Sequence, residues 1–221
     1  MMAGFLNEWG GSIWDAFIQT TQMTLISLAF SILIGLPLGV LLVLTRRNGQ
    51  WDNPIAFTIV NSLINVIRSI PFIILLFFLL PFTKSVVGTT IGVKGVIVPL
   101  VVACAPYIAR LLETAMLEVS KGVIEAYQSM GISTPKIIWH VIIREARSSI
   151  ILGLTIAIIG LIGETAMAGF VGAGGLGDLA YQFGYVRFQP DVMYAVIIIL
   201  IIIVQIVQSV GNLIARRLKK N

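Results

Sequence analysis

The chain has 221 residues, 57% of them hydrophobic and 11% charged, with a net charge of +5 and a mean hydropathy of +0.99. A soluble domain carries roughly 25% charged residues, so this polar fraction excludes a water-exposed globule and leaves an integral membrane protein. The basic residues sit at segment ends and not on one face, which excludes a nucleic-acid surface.

Residues 1–19 form an extracytoplasmic lead-in whose Trp9, Trp14 and Phe17 suit the headgroup region. Met1 to Asp15 lack the basic start and small-residue cleavage site of a signal peptide, so none is expected. The first span is predicted over about 20–44, interrupted by Gly35, Pro37 and Gly39, and it ends at Arg46-Arg47. The second covers about 56–80 and contains Asn61, Asn65, Arg68, Ser69 and Pro71; a loop over 81–93 follows. The third, about 96–117, holds Arg110 and Glu113, three apart on one helix face and so placed to pair. Cys104, the single cysteine, lies in this apolar run and reads as a small buried residue. A polar stretch, 121–147, separates the third span from the fourth, about 150–170 with Glu164 inside. A glycine-rich loop over 171–191 leads to the fifth span, about 192–214, and to a basic tail, 215–221. Residues 20–214 thus form one transmembrane domain.

Five spans put the termini on opposite sides. Ten of the fifteen Lys and Arg residues fall at 46–47, 121–147 and 216–220, against Lys84, Lys94 and Arg187 on the other side. The side richer in Lys and Arg is cytoplasmic. The expected topology is multi-pass in a bacterial inner membrane, N-terminus outside and C-terminus in the cytosol.

The stretch 121–147 cannot lie in hydrocarbon, because each charge at the bilayer centre costs ~3 kcal/mol or more. It is not a featureless linker either. Val123, Ile124, Tyr127 and Met130 recur at helical spacing, Gly131 breaks the run, and Ser133-Thr134-Pro135 reads as a cap followed by a first-turn proline. Ile137, Ile138, Val141 and Ile142 then restart a helical stripe. The spacing predicts helix, turn, helix on the water side of a membrane, where a partner docks.

Gly88 to Gly95 has the glycines and lysine of a phosphate loop but lacks the Ser or Thr after the lysine and any preceding strand. One histidine and one cysteine cannot form a metal-ligand cluster, and His140 has no nucleophile partner in sequence. The chain is expected to do no chemistry of its own and to hold no cofactor.

Glu125-Ala126-Tyr127, then Gly131, then Val141-Ile142-Ile143 resemble the Glu-Ala-Ala loop of ABC importer permeases, with Tyr127 where alanine is usual and Arg144 where proline is usual. Arg68 to Leu76, Ala105 to Arg110, Ala166 to Gly169, Gly172 to Gly177, and Tyr181-Gln182 with Gly184-Tyr185 are similar to the methionine importer permeases, so that the resemblance covers nearly the whole chain. It implies an all-α integral membrane fold of type I importer class, five transmembrane helices with a cytosolic coupling helix. It implies a homodimer with a pathway at the dimer interface, two cytosolic ABC ATPase subunits that bind ATP and Mg, and an extracytoplasmic substrate-binding protein. Glu125, Ala126, Tyr127, Met130 and Gly131 are the implied ATPase-coupling residues. Small Ala126 allows close approach, and Gly131 allows the chain to reverse. Gln182, Tyr185 and Arg187, with Gln189, are candidates for docking the binding protein.

Arg68, Arg110, Glu113 and Glu164 lie within or near spans, so each is expected to be paired or to line a wet cavity. Glu164, ~20 Å along its helix, either pairs with Arg68 or faces the pathway and meets a substrate ammonium. Met167, one turn on, is either packing or a hydrophobic gate, which a flexible thioether suits. The cargo candidates are methionine, its D-isomer or oxidised forms, cysteine or cystine, and short peptides. An ion-gradient-driven carrier is the alternative reading; it requires an internal repeat or a broken-helix ion site, and no repeat is evident.

Overall fold

The computed structural model describes residues 2–47 and 49–219. Met1 of the lead-in, Asn48 of the first turn, and Lys220 and Asn221 of the basic tail lie outside the described residues. The described residues form helices joined by short turns, with no strand among them. The order is α1 (Met2–Thr45), α2 (Pro54–Ser69), α3 (Phe72–Val87), α4 (Gly92–Leu117), α5 (Lys121–Ser129), α6 (Thr134–Ile137), a π-helical turn (Ile138–Ile142), α7 (Ile143–Glu145), α8 (Arg147–Ala168), a 3-10 turn (Gly169–Val171), α9 (Gly175–Leu179), a second π-helical segment (Ala180–Val186) and α10 (Pro190–Leu218). Four stretches are long and apolar enough to cross a bilayer: Glu8–Thr45, Gly92–Leu117, Arg147–Val171 and Pro190–Leu218. A fifth exists if α2 and α3 count as one broken span.

Four expectations need correction. The lead-in is not a separate segment, because α1 is continuous from Met2. Its 44 residues extend ~66 Å at 1.5 Å per residue. The second span is not one helix. It breaks at Ile70-Pro71, since proline has no N–H and its ring pushes the preceding residue out of the α region. Helix α3 then starts afresh, with the N–H groups of Ile74 and Leu75 both on the Pro71 carbonyl at 3.0 and 3.1 Å. Each half is ~24 Å long, short of the ~30 Å hydrocarbon core. Finally, α3 runs through Pro81 to Val87, so most of the expected 81–93 loop is helix, and the glycine-rich 171–191 loop is itself largely short helices.

The chain divides into two compact units. The first comprises Met1–Phe30, Ile70–Ala103 and Ile158–Val207. Its core gathers Ala16, Leu176, Leu179, Val192 and Val196, flanked by Trp9 edge-on to Phe183 at 4.9 Å. Here the glycine-rich segment is fixed to α1. Gly175 and Leu176 donate their N–H groups to Gln19 Oε1 at 2.7 Å and Thr20 Oγ1 at 2.8 Å. Gly174 and Gly175 take φ of 79° and 84° to present those donors.

The second unit comprises Ser31–Ser69, Cys104–Ala157 and Gln208–Asn221. Gly35 and Gly39 of α1, which sequence reading took as interruptions, are contact points. A Cβ on Gly35 would lie 2.7 Å from the Ala105 carbonyl oxygen, and one on Gly39 2.8 Å from that of Ala109. This four-residue spacing of glycines lets helix backbones approach closely in membranes, where small residues replace the hydrophobic drive of water. Leu42, Ile64 and Ala109 close the core beside them, with Leu38, Phe57 and Val60. Asn53 caps α2, its Oδ1 accepting the Ala56 N–H at 3.1 Å, and Pro54 occupies the first helical position. Cys104 is buried, as expected.

Candidate functional site

Helix α5 has no buried side chain. At nine residues it is shorter than the ~12–15 that an isolated helix needs in water, so its ends matter. At the C-terminus Gly131 stands at φ 73°. Its N–H bonds the Gln128 carbonyl at 2.8 Å, and the Ile132 N–H bonds that of Tyr127 at 3.3 Å. This double pairing closes the last turn, and it requires a left-handed residue that glycine supplies without Cβ strain. Ser133, extended at φ −67° and ψ 145°, starts α6 with Thr134-Pro135 in the first turn; its side chain makes no capping bond. Ile137, Ile138, Val141, Ile142 and Ala146 are then buried and anchor the returning strand of chain. Arg144, unlike a proline, is compatible with helix, and the chain stays helical from Thr134 into α8 with a single turn residue at Ala146.

The helix–turn–helix expectation for 121–147 therefore matches the structure. Of the coupling candidates, Glu125, Ala126, Met130 and Gly131 are exposed and Tyr127 is half-buried. Met130 is 63% exposed and Trp139, one element on, 58%. Glu125, Met130 and Trp139 are thus open to solvent in the single chain.

Within the same unit, Arg110 organises a polar cluster. Its Nη1 lies 2.5 Å from Glu113 Oε2, and its Nη2 donates to Asn61 Oδ1 at 2.7 Å and Asn65 Oδ1 at 2.9 Å. Arg46 Nη1 stands 3.8 Å from Glu113 Oε1. The Arg110–Glu113 pair was legible from spacing. The amides and Arg46 were not assigned to it, although Asn61 and Asn65, four apart inside an apolar span, were the signal that something polar had to face them. Arg68 takes a different partner, its guanidinium 5.7 Å from the Tyr107 ring centroid.

In the first unit, Glu164 Oε2 is buried without a hydrogen-bond partner. Met167, one turn on, is 45% exposed. Of the docking candidates, Gln182 Nε2 donates to Asp178 Oδ1 at 3.3 Å, Tyr185 stacks on Tyr181 at 6.1 Å and is 66% exposed, and Arg187 covers the Phe183 ring at 4.3 Å. Gln189 Oε1, by contrast, is buried. Sequence reading missed Phe188, which is 85% exposed and held at φ 54°. A non-glycine aromatic held left-handed is a strained, solvent-facing group, and nothing in its sequence neighbourhood announces it. Among the described residues no three His, Cys, Asp or Glu side chains gather as a metal site.

Long apolar helices with a buried polar cluster between them, and a short exposed helix beyond the end of one of them, are the features of a multi-pass membrane subunit. The chain belongs to the family of binding-protein-dependent transport system inner membrane components, which matches residues 32–220. It is 46% identical over 208 residues to the methionine import system permease protein MetP of Bacillus subtilis, covering 94% of each chain. It is 41% identical to the probable D-methionine transport system permease protein MetI of Vibrio cholerae, over 90% of this chain and 88% of that one. A chain of the MetNI methionine ABC transporter in an inward-facing conformation superposes with a TM-score of 0.95 at 41% identity, over 96% of this chain and 99% of that one. A chain of an amino acid ABC transporter, at 20% identity and a TM-score of 0.79, shares the fold.

Proposed function

We propose that this chain is the membrane-spanning permease of an ATP-driven methionine importer. Both relatives carry methionine transport in their names, one of them for the D-isomer, and the matching structure is a methionine ABC transporter. The observation that carries the mechanism is α5, a short closed-off helix with no side chain buried in its own chain. It seats on a separate ATPase, with Glu125 offered to basic groups, Ala126 at the closest approach and Gly131 holding the reversal. ATP and Mg stay with that partner, and this subunit does no chemistry. Movement of the ATPases carries the coupling helices with it, so that nucleotide binding biases a two-state permease through a physical connection.

Two copies assemble and place the pathway between them. Ile198, Ile201, Ile202 and Ile206 on α10, all exposed in the single chain, form an apolar stripe for lipid or for the second copy. Glu164 and Met167 line that pathway, the carboxylate toward the substrate ammonium and the thioether as a gate. The N-terminus is outside, as the distribution of Lys and Arg favours, and the side carrying Gln182, Tyr185 and Arg187 receives an extracytoplasmic binding protein. The transmembrane domain of this reading covers 20–214, continuous with the helical lead-in before it, with its coupling loop at 121–147.

The test is reconstitution with candidate ATPases and binding proteins. Methionine-loaded binding protein is expected to raise ATP hydrolysis and drive uptake into vesicles. Uptake driven by an ion gradient without any ATPase would overturn the proposal in favour of a secondary carrier.

A further inference from the structure

Three span ends meet at one cavity. Arg147 opens the stretch Arg147–Val171, Leu218 closes Pro190–Leu218, and Glu118 follows directly on Leu117, the end of Gly92–Leu117. The cavity between them has a volume of about 580 Å³, within the ~300–1,000 Å³ of small-ligand sites. Its wall carries Arg144, Arg147, Arg216 and Lys219 against Glu118 and Glu145. Glu118 is already engaged, its Oε2 accepting the Ser149 hydroxyl at 2.5 Å.

Arg147 of this wall is fixed in place. Arg147 Nε donates to the Leu218 carbonyl at 2.9 Å, and Ser148 Oγ to that of Ala215 at 3.0 Å. These bonds tie the first turn of α8 to the last turn of α10. A guanidinium has five N–H donors, so a bond at Nε sets its plane and leaves a fork suited to a phosphate. The depth is informative as well. Residues at the ends of three spans lie where hydrocarbon gives way to headgroups. One turn further into α8 stands Leu152, 39% exposed, and beyond it Ile156, 51% exposed. A basic cavity with an apolar strip descending from it has the shape and charge of a phospholipid seat.

We propose that this cavity binds the phosphate of an anionic phospholipid, with an acyl chain lying along Leu152 and Ile156. A zwitterionic lipid carries an ammonium into the same basic wall and binds less well. Basic pockets between transmembrane helices on the cytoplasmic side take anionic headgroups on these grounds. The site shares no residue with Glu125–Gly131, although Arg144, Glu145 and Arg147 of its wall belong to the 121–147 loop.

The experiment uses the full permease–ATPase complex in bilayer discs containing phosphatidylglycerol and phosphatidylcholine. Lipid retained after extraction is counted by native mass spectrometry. The parent complex is expected to retain the anionic lipid preferentially, and Arg216→Gln/Lys219→Gln to reduce that preference roughly tenfold. Lys84→Gln/Lys94→Gln is expected to leave it unchanged. Thermal unfolding of each complex shows that the variants are folded, and Arg144→Gln provides a second reading should the first pair not assemble. Millimolar inorganic phosphate is expected not to displace the lipid. Equal retention in parent and variant overturns the proposal, as does displacement by inorganic phosphate, which assigns the cavity to the free anion. Loss of ATPase co-purification with lipid preference unchanged assigns it to a protein contact and equally overturns it.

Discussion

Arg110 and Glu113 meet at 2.5 Å one turn apart on α4, and the same guanidinium reaches across to Asn61 and Asn65 of α2. An i,i+3 pair on a helix surface stabilises by only ~0.2–0.5 kcal/mol. Here the carboxylate is 4% exposed and the arginine joins two helices, so removing one partner strands a buried charge.

Arg110→Met is therefore expected to destabilise the subunit by about 3 kcal/mol, because Arg46, 3.8 Å from Glu113 and half-exposed, offers only a weaker, solvent-screened ion pair in exchange. Arg110→Met combined with Glu113→Leu is expected to recover most of the loss, because replacing both partners removes the unpaired charge. Thermal unfolding of the purified complex, parent against single and double variants, checks both.

The approach of α1 to α4 makes a steric prediction. Gly39→Val places carbon on the Ala109 carbonyl oxygen, and overpacking of this kind costs ~1–3 kcal/mol. Gly10→Val, with nothing within 4 Å of its Cβ position, provides the control. Yield of folded protein in detergent should separate the two.

Gly131 ties structure to coupling. Gly131→Val puts a β-branched residue at φ 73° and strains the turn by ~1–2 kcal/mol. Gly131→Asn tolerates that conformation better. Binding-protein-stimulated ATP hydrolysis is expected to fall in the order glycine, asparagine, valine, while the unstimulated rate of the isolated ATPase is unaffected.

Gln19 and Thr20 hold the glycine-rich segment. The Gln19→Ala/Thr20→Val pair leaves the N–H groups of Gly175 and Leu176 without partners, at ~1–3 kcal/mol for each buried donor. Hydrogen exchange at residues 175–176 is expected to accelerate by more than that in α4.

Glu164 is the clearest test of the pathway. Its Oε2 has no partner, so Glu164→Gln should not lower the unfolding temperature, whereas transport per folded complex should drop. Lower stability with transport intact would instead give the carboxylate a structural role.

Much of the fold was legible because hydropathy is a local property. The spans, the polar stretch at 121–147 and the reversal at Gly131 all follow from short runs of sequence. The break at Pro71 was not, because Pro37, Pro81, Pro99 and Pro106 lie inside helices of the same protein without ending them. A neighbour can satisfy the carbonyl that a proline frees in a membrane, and which prolines find one is decided far along the chain. The same holds for the Arg110 cluster. Spacing announced its i,i+3 half, while Asn61 and Asn65 join from 49 and 45 residues away. Gly35 and Gly39 were read as flaws in a span because a glycine's partner backbone is invisible in a single sequence.

The openness of α5 reaches beyond coupling. A nine-residue helix with no side chain fully buried in its own chain opens at low free-energy cost unless a partner sits on it. Limited proteolysis of the subunit alone is therefore expected to cut first within residues 121–131, and a bound ATPase is expected to protect them.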